Sequence, residues 1–376
     1  MPVSVPRWPV RLLLGTLLFL VALGAAWSLP PEGGGTEPAR SLAASACPDT
    51  LPLLRLEGDP YARGFQHGQA LREVIRQRGE RVLQAWASAG VQRPSLPLLP
   101  TARTTLFPEV WQEVQGIADG AGVSREAVLL LNLWRPEGTA AHGFFLAFAE
   151  AESGSPYLGW VGAGPCQGAV LLVHRTAEGD AYAVLGWAGQ VGGVLGVNRA
   201  GLAGVAREAS TLDRRTWGVP SEMLLALGLA RASTADEAVG WVAQARRAGG
   251  GAILWAEGAG SARSLVEFTA HRYALEAPPR ALLWQRLRNP WLLEVAPSPP
   301  AERSAEEQAE WLEDNREWIG QGKAWAWLKG EVQGPGRLAA LLDVASARLW
   351  VAFGCGEEGV VELGPVALEG SFAEVR

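Results

Sequence analysis

The chain has 376 residues, with 33 Lys plus Arg against 39 Asp plus Glu, so its formal charge is −6. That balance argues against a nucleic-acid partner, because proteins that hold phosphate backbones carry clustered positive charge. A hydrophobic fraction of 48% with 19% charged residues is the composition of a packed globule and excludes a largely disordered chain.

At the N-terminus, Arg7 and Arg11 precede Leu12 to Trp27, a run without charge, and Ser28-Leu29-Pro30-Pro31 follows. The order charged, apolar, breaker marks residues 1–30 as an export segment, either a cleaved signal or a retained membrane anchor. At about 1.5 Å per residue the run spans roughly 24 Å, short of the roughly 30 Å hydrocarbon core. Cys47, after Ala44-Ser45-Ala46, offers a lipoprotein site as a third alternative. Residues 31–50 are rich in Gly, Pro, Ser and Ala and read as a flexible linker, so the folded domain is expected over 51–376. The expected location is periplasmic, extracellular or membrane-anchored, with the N-terminus as a candidate membrane tether.

Helical spacing of Leu71, Val74, Ile75, Val82 and Trp86 predicts one or two amphipathic helices over 61–88. Ser124 opens a shorter helix ending near Leu133. Thr234-Ala235-Asp236-Glu237 is a capping box, and Gly249-Gly250-Gly251 is expected to end the helix that it starts. Strand-like runs pair around tight turns at 169–175 with 181–187, at 252–257 with 264–269, and at 338–344 with 349–353, all predicting antiparallel hairpins. Ser304 with Glu307 starts another capped helix carrying Trp311 and Trp318. Helices before and between the hairpins predict sheets covered on their outer faces.

The common catalytic signals are missing from the sequence. His67, His142, His174 and His271 never fall at i, i+4, and Cys47, Cys166 and Cys355 lie far apart, so neither spacing indicates a zinc site. No phosphate loop and no Gly-x-Ser-x-Gly elbow occurs. No metal or cofactor is expected. His67 reads as a structural residue of the first helix, and His174 as a half-exposed sheet residue.

Several stretches resemble the penicillin acyltransferase-like family, the acyl-coenzyme A:6-aminopenicillanic acid acyltransferase-like branch of the N-terminal-nucleophile hydrolases. They are Gly58-Asp59-Pro60-Tyr61-Ala62-Arg63-Gly64 through Gly68, Leu171-Leu172-Val173-His174-Arg175 with Trp187-Ala188-Gly189, Gly196-Val197-Asn198-Arg199-Ala200-Gly201-Leu202, and Leu341-Leu342-Asp343 with Leu349-Trp350-Val351-Ala352-Phe353-Gly354. The resemblance implies an α+β fold, a four-layer αββα sandwich of two antiparallel sheets. It also implies a chemistry in which the precursor cleaves itself before a Cys, whose new α-amino group, with an unperturbed pKa of about 7.7 to 8.0, serves the thiol as base. Oxyanion donors in comparable sites are worth about 2.7 to 4 kcal/mol each.

This sequence departs from the family at that centre. The hairpin that the family's nucleophile leads corresponds to Phe144 to Trp160, which places the nucleophile slot at Ala141 or His142. The family's Arg-Asn-x-Asp slot falls on Trp160-Val161-Gly162-Ala163, and its later Asn-His pair on Asn289-Pro290. Thr139 after Gly138 and Cys166 after Gly164-Pro165 remain as candidate nucleophiles. Asn198 and Asn289 are the family's oxyanion or positioning donors by resemblance. Asn198 also reads as a turn residue between Val194–Val197 and Leu202–Val205. Two functions follow: an exported, catalytically degenerate homologue that binds an acylated or hydrophobic small ligand, or an active amidohydrolase or acyltransferase using Thr139 or Cys166.

Overall fold

The computed structural model describes residues 50–88, 98–134, 144–149, 156–163, 167–176, 181–215, 217–258, 263–276, 281–284, 320–332, 336–354 and 360–368. The fold is α+β, with two sheets and helices packed against them. The first sheet has eight strands in the order β1 (Leu53–Glu57), β4 (Ala169–Arg175), β5 (Ala181–Trp187), β6 (Leu195–Asn198), β7 (Leu202–Ala209), β8 (Gly250–Glu257), β9 (Arg263–Phe268), β10 (Tyr273–Glu276). The second has six, in the order β11 (Ala281–Trp284), β2 (Phe144–Ala149), β3 (Pro156–Ala163), β12 (Arg337–Asp343), β13 (Arg348–Gly354), β14 (Val360–Ala367). All three expected hairpins are present, and β2 pairs β3 as the sequence suggests. One pairing departs from the antiparallel expectation: β1 lies parallel to β4, because five helices and two strands of the other sheet intervene before the chain returns beside it.

The central strands read as near-continuous apolar runs because both of their faces are covered. Along β4, Val170 and Leu172 join a cluster with the helices, whereas Ala169, Leu171 and Val173 join a cluster with the second sheet. Along β12, Leu338, Ala340 and Leu342 face the first sheet, and Ala339 and Leu341 pack with Trp325 and Leu328 of a helix at Gln321–Gly330.

The helices on the first sheet are α1 (Pro60–Ala70), α2 (Arg72–Ser88), α3 (Leu98–Thr105), α4 (Pro108–Ala121), α5 (Arg125–Leu133), α6 (Ser221–Arg231) and α7 (Ala235–Gln244), and the Gln321–Gly330 helix is α8. The predicted 61–88 stretch divides at Leu71, and Ser124 caps α5 by accepting from Ala127 N at 3.2 Å. Thr234 caps α7, accepting from Glu237 N, but the Glu237 carboxylate turns back to Ser233 N at 2.8 Å instead of Thr234 N. Contrary to expectation, Gly249 to Gly251 do not end α7. The helix stops at Gln244, Arg246 and Arg247 intervene, and Gly250 already starts β8. The helix expected at Ser304, with Trp311 and Trp318, lies outside the described residues. No helix among the described residues is long and apolar enough to cross a membrane.

Helices α1 and α4 cross at backbone contact. A Cβ at Gly64 would stand 2.2 Å from the Glu113 carbonyl oxygen, and one at Gly116 would stand 2.1 Å from that of Tyr61. Gly68 and Gly120 are equally confined, against Ile117 and Phe65. Only hydrogen fits at these four positions, so the glycine spacing that resembles the family's opening helix sets the distance between two helices.

Candidate functional site

Of the residues singled out at the family's chemical centre, Thr139, Ala141, His142, Cys166 and Asn289 lie outside the described residues, as do Cys47 and Cys355. The described part of that centre is β3. Its alternation sends Leu158 and Trp160 between the sheets, and Tyr157 and Val161 towards α8. Trp160 is 1% exposed and meets Trp187 of β5 edge to face, ring centroids 6.0 Å apart. This strand therefore buries apolar side chains on both of its faces.

Asn198 ends β6, 6% exposed. Its Nδ2 donates to Leu229 O at 3.0 Å and Ala232 O at 2.7 Å, and its Oδ1 accepts from Leu202 N at 3.0 Å. Both amide hydrogens are engaged by carbonyls at the end of α6, and the oxygen closes the turn into β7. The side chain thus performs the turn role that the sequence allowed, and it extends that role to a helix terminus whose carbonyls need partners.

The other resembling motifs converge on a buried polar cluster that the sequence did not single out. Arg63 and His67, one turn apart on α1, meet Glu113 of α4 and His174 of β4. Glu113 Oε2 lies 3.9 Å from Arg63 Nη2, and Oε1 lies 3.7 Å from His174 Nδ1. Arg63 Nη1 donates to Gly58 O at 2.6 Å, and the His174 ring stacks on its cross-strand partner Tyr182, centroids 4.5 Å apart. His174 was expected to be half-exposed, but it is fully buried. Strand period two turns it to the same side as Leu172, and α1 and α4 cover that side. His67, expected to be structural, is also fully buried and accepts from Gly189 N at 3.1 Å.

Burial decides the protonation of this cluster. It holds the His67 imidazole down at about 4, with Arg78 acting in the same direction. It pushes the Glu113 carboxyl up to about 7, against the pull of Arg63. His174 is lowered well below the ordinary imidazole value, first by burial and then by Arg63 and His67. Tyr182 is raised by burial and by Glu113. Arg63 Nε, His67 Nδ1, Glu113 Oε1 and both His174 nitrogens have no hydrogen-bond partner among the described residues. A sealed cluster of this kind cannot reach an external substrate, and its titration is coupled to folding instead.

The neighbouring 187–191 segment is tied down from the helices. Arg78 Nη1 donates to Ala188 O, Asn132 Nδ2 donates to Gly189 O at 2.9 Å, and Asn132 Oδ1 accepts from Val191 N at 2.7 Å. Arg63 and His67 at i, i+4 on one helix face are the sequence signal for the α1 side of the cluster.

A second constellation is more open. The Asp213 carboxylate holds His271 Nδ1 and accepts from Thr269 Oγ1, and Asp213 O accepts from Ala270 N at 3.0 Å. These bonds, His271 first, hold the Asp213 carboxyl below the usual carboxylate range. The three residues staple the β9–β10 turn to the loop after β7. Among the described residues no group of three or more His, Cys, Asp or Glu is arranged to hold a metal ion.

No protein-family model matches the chain, and no curated protein sequence does. Among solved structures, the chain is similar to two variants of conjugated bile acid hydrolase from Clostridium perfringens. For each the identity is 10% and the TM-score 0.37; one match covers 60% of this chain and 93% of the other, the second 59% and 92%.

Proposed function

We propose that the chain is an exported, catalytically degenerate homologue of the penicillin acyltransferase-like N-terminal-nucleophile hydrolases, built as a four-layer αββα sandwich and binding an acylated or hydrophobic small ligand. The observation that carries this reading is Trp160, which lies buried against Trp187 where the family has a polar partner of its nucleophile. Replacing polar stabilisers by an indole removes the fixed dipoles that acyl transfer needs. The ligand half rests on the resemblance, whose family handles acylated amides. Export rests on the Arg7, Arg11 and Leu12-to-Trp27 order, with residues 1–30 as signal or anchor.

Intact mass of the purified chain tests the degenerate half. One polypeptide is expected after any signal removal, whereas two chains split near residue 138 or 165 would establish the active alternative through Thr139 or Cys166. Tryptophan fluorescence during titration with a long-chain N-acyl amide tests the ligand half. Saturable change is expected, and an unchanged spectrum overturns it.

A further inference from the structure

The buried cluster of Arg63, His67, Glu113 and His174 carries polar atoms that the described residues do not satisfy. Arg63 Nε, His67 Nδ1, Glu113 Oε1 and both nitrogens of His174 have no hydrogen-bond partner among them. Arg63 is 7% exposed, Glu113 4%, and both histidines are sealed. Buried polar groups in folded proteins almost always bond to protein or to ordered water.

The side chains are held apart at distances that they do not close among themselves. Glu113 Oε1 lies 3.7 Å from His174 Nδ1, and Oε2 lies 3.9 Å from Arg63 Nη2, both beyond direct hydrogen-bond reach. Each partner is pinned elsewhere. Arg63 Nη1 is held on Gly58 O at 2.6 Å, His67 Nε2 on Gly189 N at 3.1 Å, and the His174 ring on Tyr182. The Glu113 backbone is fixed as well, because Gly64 of α1 packs directly on its carbonyl. Polar atoms held at such a spacing are suited to a bridging water.

The donors and acceptors of the cluster select the ligand. Arg63 Nε only donates, and His67 Nδ1 must donate because its Nε2 already accepts. Glu113 keeps acceptor capacity in either protonation state, and neutral His174 adds one donor and one acceptor. An anion would be repelled by the Glu113 oxygen and the bare imidazole nitrogen. A metal cation would meet the Arg63 guanidinium and find His67 closed to it. Water both donates and accepts, so it fits the mixed set.

We infer that this cluster is an internal water site, in which one water bridges Glu113 Oε1 to His174 Nδ1 and the N–H groups of Arg63 and His67 are further donors to bound water. The water joins α4 to β4 beneath the crossing of α1 and α4. Its sealed position makes it exchange with solvent only when those helices part from the sheet.

Crystals of the full chain, purified in mild detergent and soaked separately in bromide and in zinc, test this. A density peak within about 3.2 Å of both Glu113 Oε1 and His174 Nδ1 is expected, with no anomalous signal from either ion. No peak, a direct bond from Glu113 to His174, or an anomalous peak at the cluster overturns the inference. In solution, oxygen-17 relaxation dispersion counts waters with long residence times. Glu113→Gln, which keeps an acceptor, should retain the wild-type count, whereas Glu113→Leu combined with His174→Phe should lose at least one long-lived water per chain. A folded double variant that keeps them all also overturns it, and if the double variant unfolds, the wild-type crystals decide.

Discussion

The backbone N–H of Gly189 donates to His67 Nε2 at 3.1 Å, which leaves the proton of the neutral His67 ring on Nδ1. This bond joins α1 to the segment after β5 and fixes the tautomer in a cluster that also holds His174, Glu113 and Arg63.

The cluster sets a pH dependence with opposing arms. Glu113 is raised to about 7, so its contribution to stability is complete below its unfolded value of 4.5 and is lost as the pH rises through 7. His67 is lowered to about 4, so its contribution is complete above 6.5 and is lost as the pH falls through 4; lowered His174 acts in the same sense. Between these limits Glu113 offsets one histidine. Glu113→Gln should therefore lose stability more steeply than the wild type on acidification from pH 6.5 to 4.5, by about 1.4 kcal/mol per pH unit. Urea unfolding at stepped pH measures this, and equal slopes would contradict it.

Glycines in helices should divide into two classes. Gly64→Ala and Gly116→Ala force a methyl against carbonyl oxygens at 2.2 and 2.1 Å, and each is expected to destabilise by about 3 kcal/mol or to unfold the chain. Gly240→Ala in α7 meets nothing within 4 Å and should instead stabilise by about 0.5–1 kcal/mol. Chemical denaturation of the three variants checks both directions.

Asn198→Ala should cost about 2 kcal/mol or more, because it strands a buried N–H and two buried carbonyls. Asn198→Asp should cost more than Asn198→Ala, since it points a carboxylate oxygen at both Leu229 O and Ala232 O. An aspartate variant as stable as wild type in thermal melts would remove the structural role assigned to this side chain.

Thr234→Ala should lose about 1 kcal/mol by unsatisfying Glu237 N, whereas Glu237→Gln, which still accepts from Ser233 N, should lose less. Paired melting curves give the comparison.

The sequence by itself determined the hairpins, the capped starts of α5 and α7, and the two-sided burial of the strands, because these depend on residue period and on neighbours a few positions apart. Tertiary structure decided the rest. His174 is buried because α1 and α4 cover one face of β4, and no local pattern records which face a distant helix will choose. Arg63, Glu113 and His174 come from elements far apart in the chain, and their titration exists only once folding has removed water from all of them together. The parallel partner of β1 was equally illegible, since a strand's period specifies its faces but not the strand that will lie beside it.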